Sequence, residues 1–218
     1  SKTPINMLSE KQISRLSHYR RLLKTMEAQG LVYIFSHQLA SMAHVTAAQV
    51  RRDLMDIDIS GTPAKGYRID ALAECLRRVL APEAVQRVAL VGVGNLGRAL
   101  LDYFRGRTPT LSIEAAFDSD PAKTNRVING CRVYPVSELV DRVRELGISI
   151  GIIAVPAEAA QEVANLLVRG GVTGILDCAP TRLRLPHGVY LENLDMTASL
   201  ERTAYFAMQL KSKKEVLT

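Results

Sequence analysis

Residues 88–101, VALVGVGNLGRALL, carry an apolar run straight into a glycine turn and then into a helical pattern. Gly92, Gly94 and Gly97 have the spacing GxGxxG, and each glycine meets a different physical demand. These are a tight turn, a backbone that a pyrophosphate can approach, and close contact between helix and sheet. The unpaired amides at the start of the following helix, with the positive end of its dipole, favour a bound phosphate pair. Residues 111–117 form a second apolar strand that ends in Asp118, 21 positions after Gly97. An acid there can accept hydrogen bonds from the adenosine ribose hydroxyls and repels a 2′-phosphate, which favours NAD(H) over NADP(H). A domain of this kind that holds coenzyme A, or nothing, shares the glycine turn.

Around this fingerprint, strands alternate with helices: strand 87–93, helix 96–104, strand 111–117, helix 136–146, strand 148–155, helix 157–168 and strand 172–178. Near-continuous apolar strands in such alternation predict an α/β Rossmann-like parallel sheet covered on both faces. A short strand at 189–191 precedes Asp195, a predicted N-cap, and a helix over 196–210. Leu200, Ala204, Ala207 and Met208 form a stripe on that helix which must be buried against something.

Ahead of the fingerprint the character changes. Ile13, Leu16, Tyr19, Leu22, Leu23 and Met26 recur at helical spacing, and Gly30 ends that helix. A second helix is predicted from Ser36 as N-cap and, after a turn at His44 and Val45, a third from Thr46 to Met55, the dimensions of a helix-turn-helix. Ile57 and Ile59, a turn-rich stretch at 60–66, and Tyr67 and Ile69 alternate like two strands of a hairpin. Three helices and a hairpin predict an α+β winged helix over 1–82. A joining helix at 71–80 and Pro82 separate it from a Rossmann domain over 83–192 and a terminal helix and tail over 193–218.

The net charge of +6 is unevenly placed: residues 1–84 carry 12 Lys and Arg against 8 Asp and Glu, the remainder 16 against 14. Lys11, Arg15, Arg20, Arg21 and Lys24 follow one another with no intervening acid, which reads either as a solvated helix face or as attraction to a polyanion. Cys75, Cys131 and Cys178 lack metal-ligand spacing and read as reduced thiols. No apolar run resembles a signal sequence or a membrane span, so a soluble cytoplasmic protein is expected.

Hydride-transfer chemistry requires an acid or base beside the substrate carbon and extra chain to enclose the substrate. Three of the four histidines lie before residue 45, and Lys123 is the only lysine between Lys65 and Lys211. The cofactor is therefore expected to be sensed, not consumed, with an NAD-dependent oxidoreductase and a coenzyme A or nucleotide-binding regulator as the alternatives. In the third helix, Thr46 caps a first turn of Ala47, Ala48 and Gln49, small enough to enter a major groove, with Gln49, Arg51 and Arg52 placed for base edges or phosphates.

ISRLSHYRRLL, VTAAQVRRDL, VGVGNLGRALLDY, AFDSDP and ENLD, in that order over residues 13–210, together resemble the Rex family of redox-sensing transcriptional repressors. The resemblance implies a homodimer with a winged helix, a Rossmann domain and a terminal helix swapped onto the partner. It also implies binding to double-stranded operator DNA when NADH is scarce and release by NADH. Cofactor contacts would come from Gly92, Val93, Gly94, Asn95, Leu96, Gly97 and Asp118, from Val155, Pro156, Cys178, Ala179 and Pro180, and from Tyr103 and Asp195. DNA contacts would come from Ser36, Thr46, Gln49, Arg51, Arg52 and Lys65. Arg21, Tyr103 and Asp195 would relay the nicotinamide state between domains. The sequence departs from the family's pattern in its wing, where Thr62 and Pro63 replace a basic pair and only Lys65 supplies charge, with Asp56 and Asp58 nearby. Met196 stands where an aromatic often follows the Asp.

Overall fold

A computed structural model describes residues 8–62, 65–80, 85–107 and 110–216, with side chains through residue 210. The chain divides into two compact units, Ser1–Ala84 and Val85–Thr218. The expected boundary at Pro82 lies outside the described residues.

In the first unit, Ser9 starts α1 (Glu10–Ala28) with a reciprocal cap: its hydroxyl accepts from the Gln12 N–H, and the Gln12 side-chain oxygen accepts from the Ser9 N–H. α1 buries Leu16, Tyr19, Leu23 and Met26 but leaves Ile13 exposed, a narrower stripe than the sequence suggested. Then come β1 (Tyr33–Ile34), α2 (Ser36–Ala43), α3 (Ala47–Met55), β2 (Tyr67–Arg68) and α4 (Ile69–Leu80). The turn between α2 and α3 uses His44 in the left-handed region, and the Thr46 hydroxyl caps α3 by accepting from the Gln49 N–H at 3.1 Å.

Three local expectations are corrected. Ser36 is the first residue of α2, not its cap; Phe35 precedes it and donates its N–H to the Gln38 side chain at 2.9 Å. Residues 57–59 do not pair with 67–69, because Tyr67–Arg68 pairs antiparallel with Tyr33–Ile34 instead. Ile57 and Ile59 alternate for a different reason: both N–H groups return to the Leu54 carbonyl as α3 unwinds through Asp58, at φ 60°, and both side chains pack on the same core. Ile69, read as a strand residue, begins α4 and is fully buried. The turn beyond residue 60 closes where Thr62 and Gly66 exchange backbone hydrogen bonds of 3.0 and 2.7 Å; Pro63 lies outside the described residues.

The second unit runs β3 (Gln86–Val91), α5 (Asn95–Phe104), β4 (Leu111–Asp118), β5 (Arg126–Ile128), β6 (Cys131–Pro135), α6 (Leu139–Glu145), β7 (Ile150–Ile153), α7 (Ala157–Gly170), β8 (Gly174–Asp177), β9 (Tyr190–Asn193) and α8 (Met196–Val216). The sheet has the order β5-β6-β4-β3-β7-β8-β9 and is parallel except for the β5–β6 pair. Without β5 this is the 3-2-1-4-5-6 order of the doubly wound nucleotide-binding fold, whose ligand crevice lies beyond the strand ends where the order reverses, here between β3 and β7. The β5–β6 hairpin was not anticipated. Its strands mix polar and apolar residues, but Asn129 and Gly130, both at positive φ, are the signature of its tight turn.

Alternation along the strands separates two cores. Val91, Phe117, Ile153 and Ile175 pack with α6 and α7, while Val88, Leu90, Ala116 and Ile152 pack with α5. Asp177 interrupts the first pattern. It is fully buried, its Oδ1 accepts from the Ala179 N–H at 2.9 Å, and its Oδ2 has no partner among the described residues. Burial pushes this carboxyl above the usual carboxylate range. A raised folded-state value means stability present at low pH that is lost as pH rises through that value. Asp177→Asn is expected to gain about 1 kcal/mol or more at neutral pH by removing the unpaired buried carboxyl, and to flatten the part of the Tm decline that this group causes as pH rises from about 4, the ordinary carboxylate value, to about 7. Thermal unfolding of both chains at the two pH values checks this; an unchanged slope would refute it.

Candidate functional site

The three fingerprint glycines answer different demands. Gly92 has φ +97°, and a Cβ there would stand 2.4 Å from the Ala154 carbonyl oxygen. At Gly97 a Cβ would stand 1.9 Å from the Gly92 carbonyl oxygen, so α5 can leave the turn at this angle only with a hydrogen in that place. Gly94, the N-cap of α5, differs: φ is −81°, and a Cβ there would meet nothing within 4 Å. The chain's own packing does not ask for glycine at 94. A bare backbone there leaves open space over the first amides of α5, the shape and polarity a pyrophosphate requires.

A cavity of about 590 Å³ opens at this turn, within the range of small-ligand sites. Of the expected cofactor residues, Gly92, Gly94, Asp118, Val155 and Pro156 line it. Val93 is buried and acts through its backbone, donating its N–H to Asp118 Oδ2 at 2.8 Å. Asn95 and Leu96 start α5, and Gly97 is buried below them. Cys178, Ala179 and Pro180 are not in this lining; Ala179 packs into the core, and burial pushes the Cys178 thiol up. Sequence reasoning missed Asp120, Lys123 and Glu162, which line the cavity with Asp118. The one signal for Lys123 was its isolation in the sequence.

Asp118 ends β4 with only 7% of its surface exposed. Its Oδ1 accepts from the Asp120 N–H at 2.9 Å, and its Oδ2 accepts from Val93 N–H and from the Lys123 ammonium at 3.3 Å. Burial opposes its ionisation, but these amides and the ammonium outweigh burial and hold the carboxyl below the usual carboxylate range. It is a fixed anion in the cavity wall.

In the first unit, α3 presents Ala48, Arg51, Arg52 and Met55 to solvent. Arg51 Nη1 donates to the Ser36 hydroxyl at 3.1 Å, which brings two expected DNA-contact residues together across the α2–α3 turn. Arg52 and Lys65 are exposed. Gln49 Nε2 donates to Asp53 Oδ1 at 2.8 Å, which takes one of its two N–H donors for the helix's own network. Asp53 also takes Arg15 Nε and Nη2, at 2.6 and 2.7 Å, and the Tyr19 hydroxyl at 2.9 Å. Arg15, read as part of a basic run, is thus paired to the third helix. No sequence pattern marked Asp53, since an acid on a helix is ordinarily solvated.

The expected relay residues sit as follows. Arg21, on α1, donates to the Ser17 hydroxyl at 3.2 Å. Tyr103, on α5, is 54% exposed, with the Arg107 guanidinium 4.2 Å over its ring. Asp195 precedes α8 and caps it by accepting the Ala198 N–H at 2.8 Å. Among the described residues no group of three or more His, Cys, Asp or Glu could hold a metal ion, and no helix is long and apolar enough to cross a membrane.

Comparison with known proteins addresses both units. The family model "CoA binding domain" matches residues 84–181, and the model "Putative DNA-binding protein N-terminus" matches residues 7–54. The redox-sensing transcriptional repressor Rex of Latilactobacillus sakei subsp. sakei (strain 23K) is 36% identical over 94% of this chain and 99% of its own length. The Rex of Carboxydothermus hydrogenoformans is 40% identical over 89% and 93%, and that of Thermus aquaticus 39% identical over 95% and 98%. Among solved structures, the Rex-family repressor RSP in complex with β-NAD⁺ and operator DNA superposes with a TM-score of 0.88 at 29% identity, covering 97% of each chain. RSP in complex with β-NADH gives 0.85 at 29% identity, over 97% of this chain and 99% of that one.

Proposed function

The chain belongs to the Rex family of redox-sensing transcriptional repressors, and from that premise we propose that it binds operator DNA when NADH is scarce and releases it when NADH fills the glycine-lined crevice. The observation that carries this is Gly94: the protein keeps a bare backbone where its own packing needs none, above helix amides and in the same cavity as the Asp118 carboxylate. Such a cradle suits the pyrophosphate and adenosine ribose of NAD(H). RSP, of the same family, has been seen with NADH and, in another complex, with NAD⁺ and operator DNA.

The α3 face, with Arg51 oriented by Ser36 and Arg52 exposed to reach a phosphate or base edge, is the reading head of a unit assigned to residues 1–82. Lys65 is the basic contribution of the wing. A sensor over 83–192 and a terminal segment over 193–218 complete the chain. Exposed Leu200, Tyr205, Phe206, Met208 and Leu210 on α8 favour a homodimer in which this helix is exchanged between copies. Arg21, Tyr103 and Asp195 are assigned the relay. Oxidised and reduced nicotinamide differ by one positive charge, to which a carboxylate such as Asp195 responds. A protein that reads operator DNA in this way works in the cytoplasm.

Fluorescence anisotropy of a labelled pseudo-palindromic duplex tests the proposal. NADH is expected to lower occupancy at least tenfold, which requires about 1.4 kcal/mol of preference for the released state, while NAD⁺ leaves the complex standing. Equal effects of the two forms would overturn the sensing assignment and leave DNA binding in place.

A further inference from the structure

We propose that Lys123 is a cation poised for a phosphate on the adenosine ribose and that Asp118 silences it, so the crevice rejects NADP(H) through Asp118 and not for want of a phosphate ligand. The inference rests on the reading that a pyridine dinucleotide occupies the crevice.

Lys123 is the one cation among the described residues that line the cavity. Its ammonium lies 3.3 Å from Asp118 Oδ2 and 3.9 Å from Asp120 Oδ2. Two backbone amides, of Val93 and Asp120, already hold Asp118 in place, so the lysine is not needed to orient it. An ionised carboxylate has about four acceptor positions, and an ammonium has three donors. With three acceptor positions of Asp118 filled, one is left for a ribose hydroxyl, and the ammonium has donors to spare for the ribose oxygen beside it.

The charges decide what happens when that oxygen carries a phosphate. With Asp118 ionised, a 2′-phosphate meets the carboxylates of Asp118 and Asp120 beside one ammonium, with Glu162 a third acid in the same lining, and repulsion prevails. With a neutral side chain at 118, the carboxylates left in the lining are those of Asp120, which is 47% exposed, and Glu162, also exposed, both screened by water, whereas the Lys123 side chain is 28% exposed and lies beside the 118 position. The ammonium then prevails, as a compact charge that binds phosphate well. One pair of residues therefore both gives the ribose its contacts and sets the sign of the field at its 2′-position.

The test titrates NADH and NADPH, by their own fluorescence, against the full chain and its Asp118→Asn, Lys123→Met and double variants, with Tm measured for each. Asp118→Ser serves as a second neutral replacement should Asn disturb the fold. The unmodified chain is expected to bind NADH and reject NADPH. Asp118→Asn is expected to bind NADPH at least about tenfold more tightly than the unmodified chain does, and more tightly than it binds NADH. Adding Lys123→Met should abolish that gain, and Lys123→Met alone should weaken NADH a few-fold without admitting NADPH. A gain that survives Lys123→Met, or no gain in either Asp118 variant, overturns the proposal while NADH binding to the unmodified chain still stands. An unmodified chain that binds neither nucleotide overturns the underlying reading instead.

Discussion

Gly94→Ala is expected to leave a folded repressor that needs roughly ten- to hundredfold more NADH to leave its operator. The added methyl meets no protein atom within 4 Å, and φ at −81° suits any residue, so the Tm should barely move. The methyl instead occupies the space above the first amides of α5, where a pyrophosphate must approach to within hydrogen-bond reach. Forcing a group into a fitted site costs on the order of 1–3 kcal/mol, which weakens NADH roughly ten- to hundredfold. Gly97→Ala is the control, because its methyl would collide with the Gly92 carbonyl oxygen and should lower Tm as well as binding. Calorimetric titration with NADH and a thermal melt separate the two variants. If Gly94→Ala bound NADH as tightly as the unmodified chain, the phosphate site would have to lie elsewhere.

The second unit was largely legible because a buried parallel strand and a glycine turn are both local signals. Residues 88–101 gave strand, turn and helix in one reading, and Asp118 followed from its spacing. The hairpin of β5 and β6 was obscured because its edge strand, Arg126–Ile128, is only three residues long and shows no period, and its Asn129-Gly130 turn was the only strong clue. In the first unit the helices were readable from periodicity and caps, but the strand pairing was not. Tyr67–Arg68 finds its partner far upstream at Tyr33–Ile34, and two-residue strands carry no period to read. The polar contacts were the least legible part. Lys123 joins Asp118 at a separation of five positions, and Arg15 joins Asp53 at a separation of 38, so both looked like ordinary solvated charges. Gln49, placed well for a base edge by helical position, also gives one N–H to Asp53.

The contacts of Asp53 with α1 make Asp53→Ala the substitution with the largest expected cost. Asp53 is 1% exposed and accepts four hydrogen bonds: two from the Arg15 fork and one from the Tyr19 hydroxyl, which clamp α3 to α1, and one from Gln49 on α3 itself. Removing it leaves a buried hydroxyl and a partly buried guanidinium unpaired, a loss of roughly 3–5 kcal/mol, against a total of about 5–15 kcal/mol for a domain. Operator affinity should fall at least a hundredfold as α3 loses its seat, while NADH binding in the second unit persists. The same anion predicts a pH dependence. Burial disfavours its charge, but the bonds from Arg15, Tyr19 and Gln49 outweigh burial and hold the carboxyl below its usual range. A depressed folded value contributes stability that is full above the unfolded pKa and is lost as pH falls through the folded one, so DNA binding should fail on acidification before neutral-pH contacts change. Asp53→Asn, which keeps the shape but not the charge, should remove that acid sensitivity and already be weakened at pH 7. Operator binding by Asp53→Ala within twofold of the unmodified chain would show that α3 holds its reading position without this clamp.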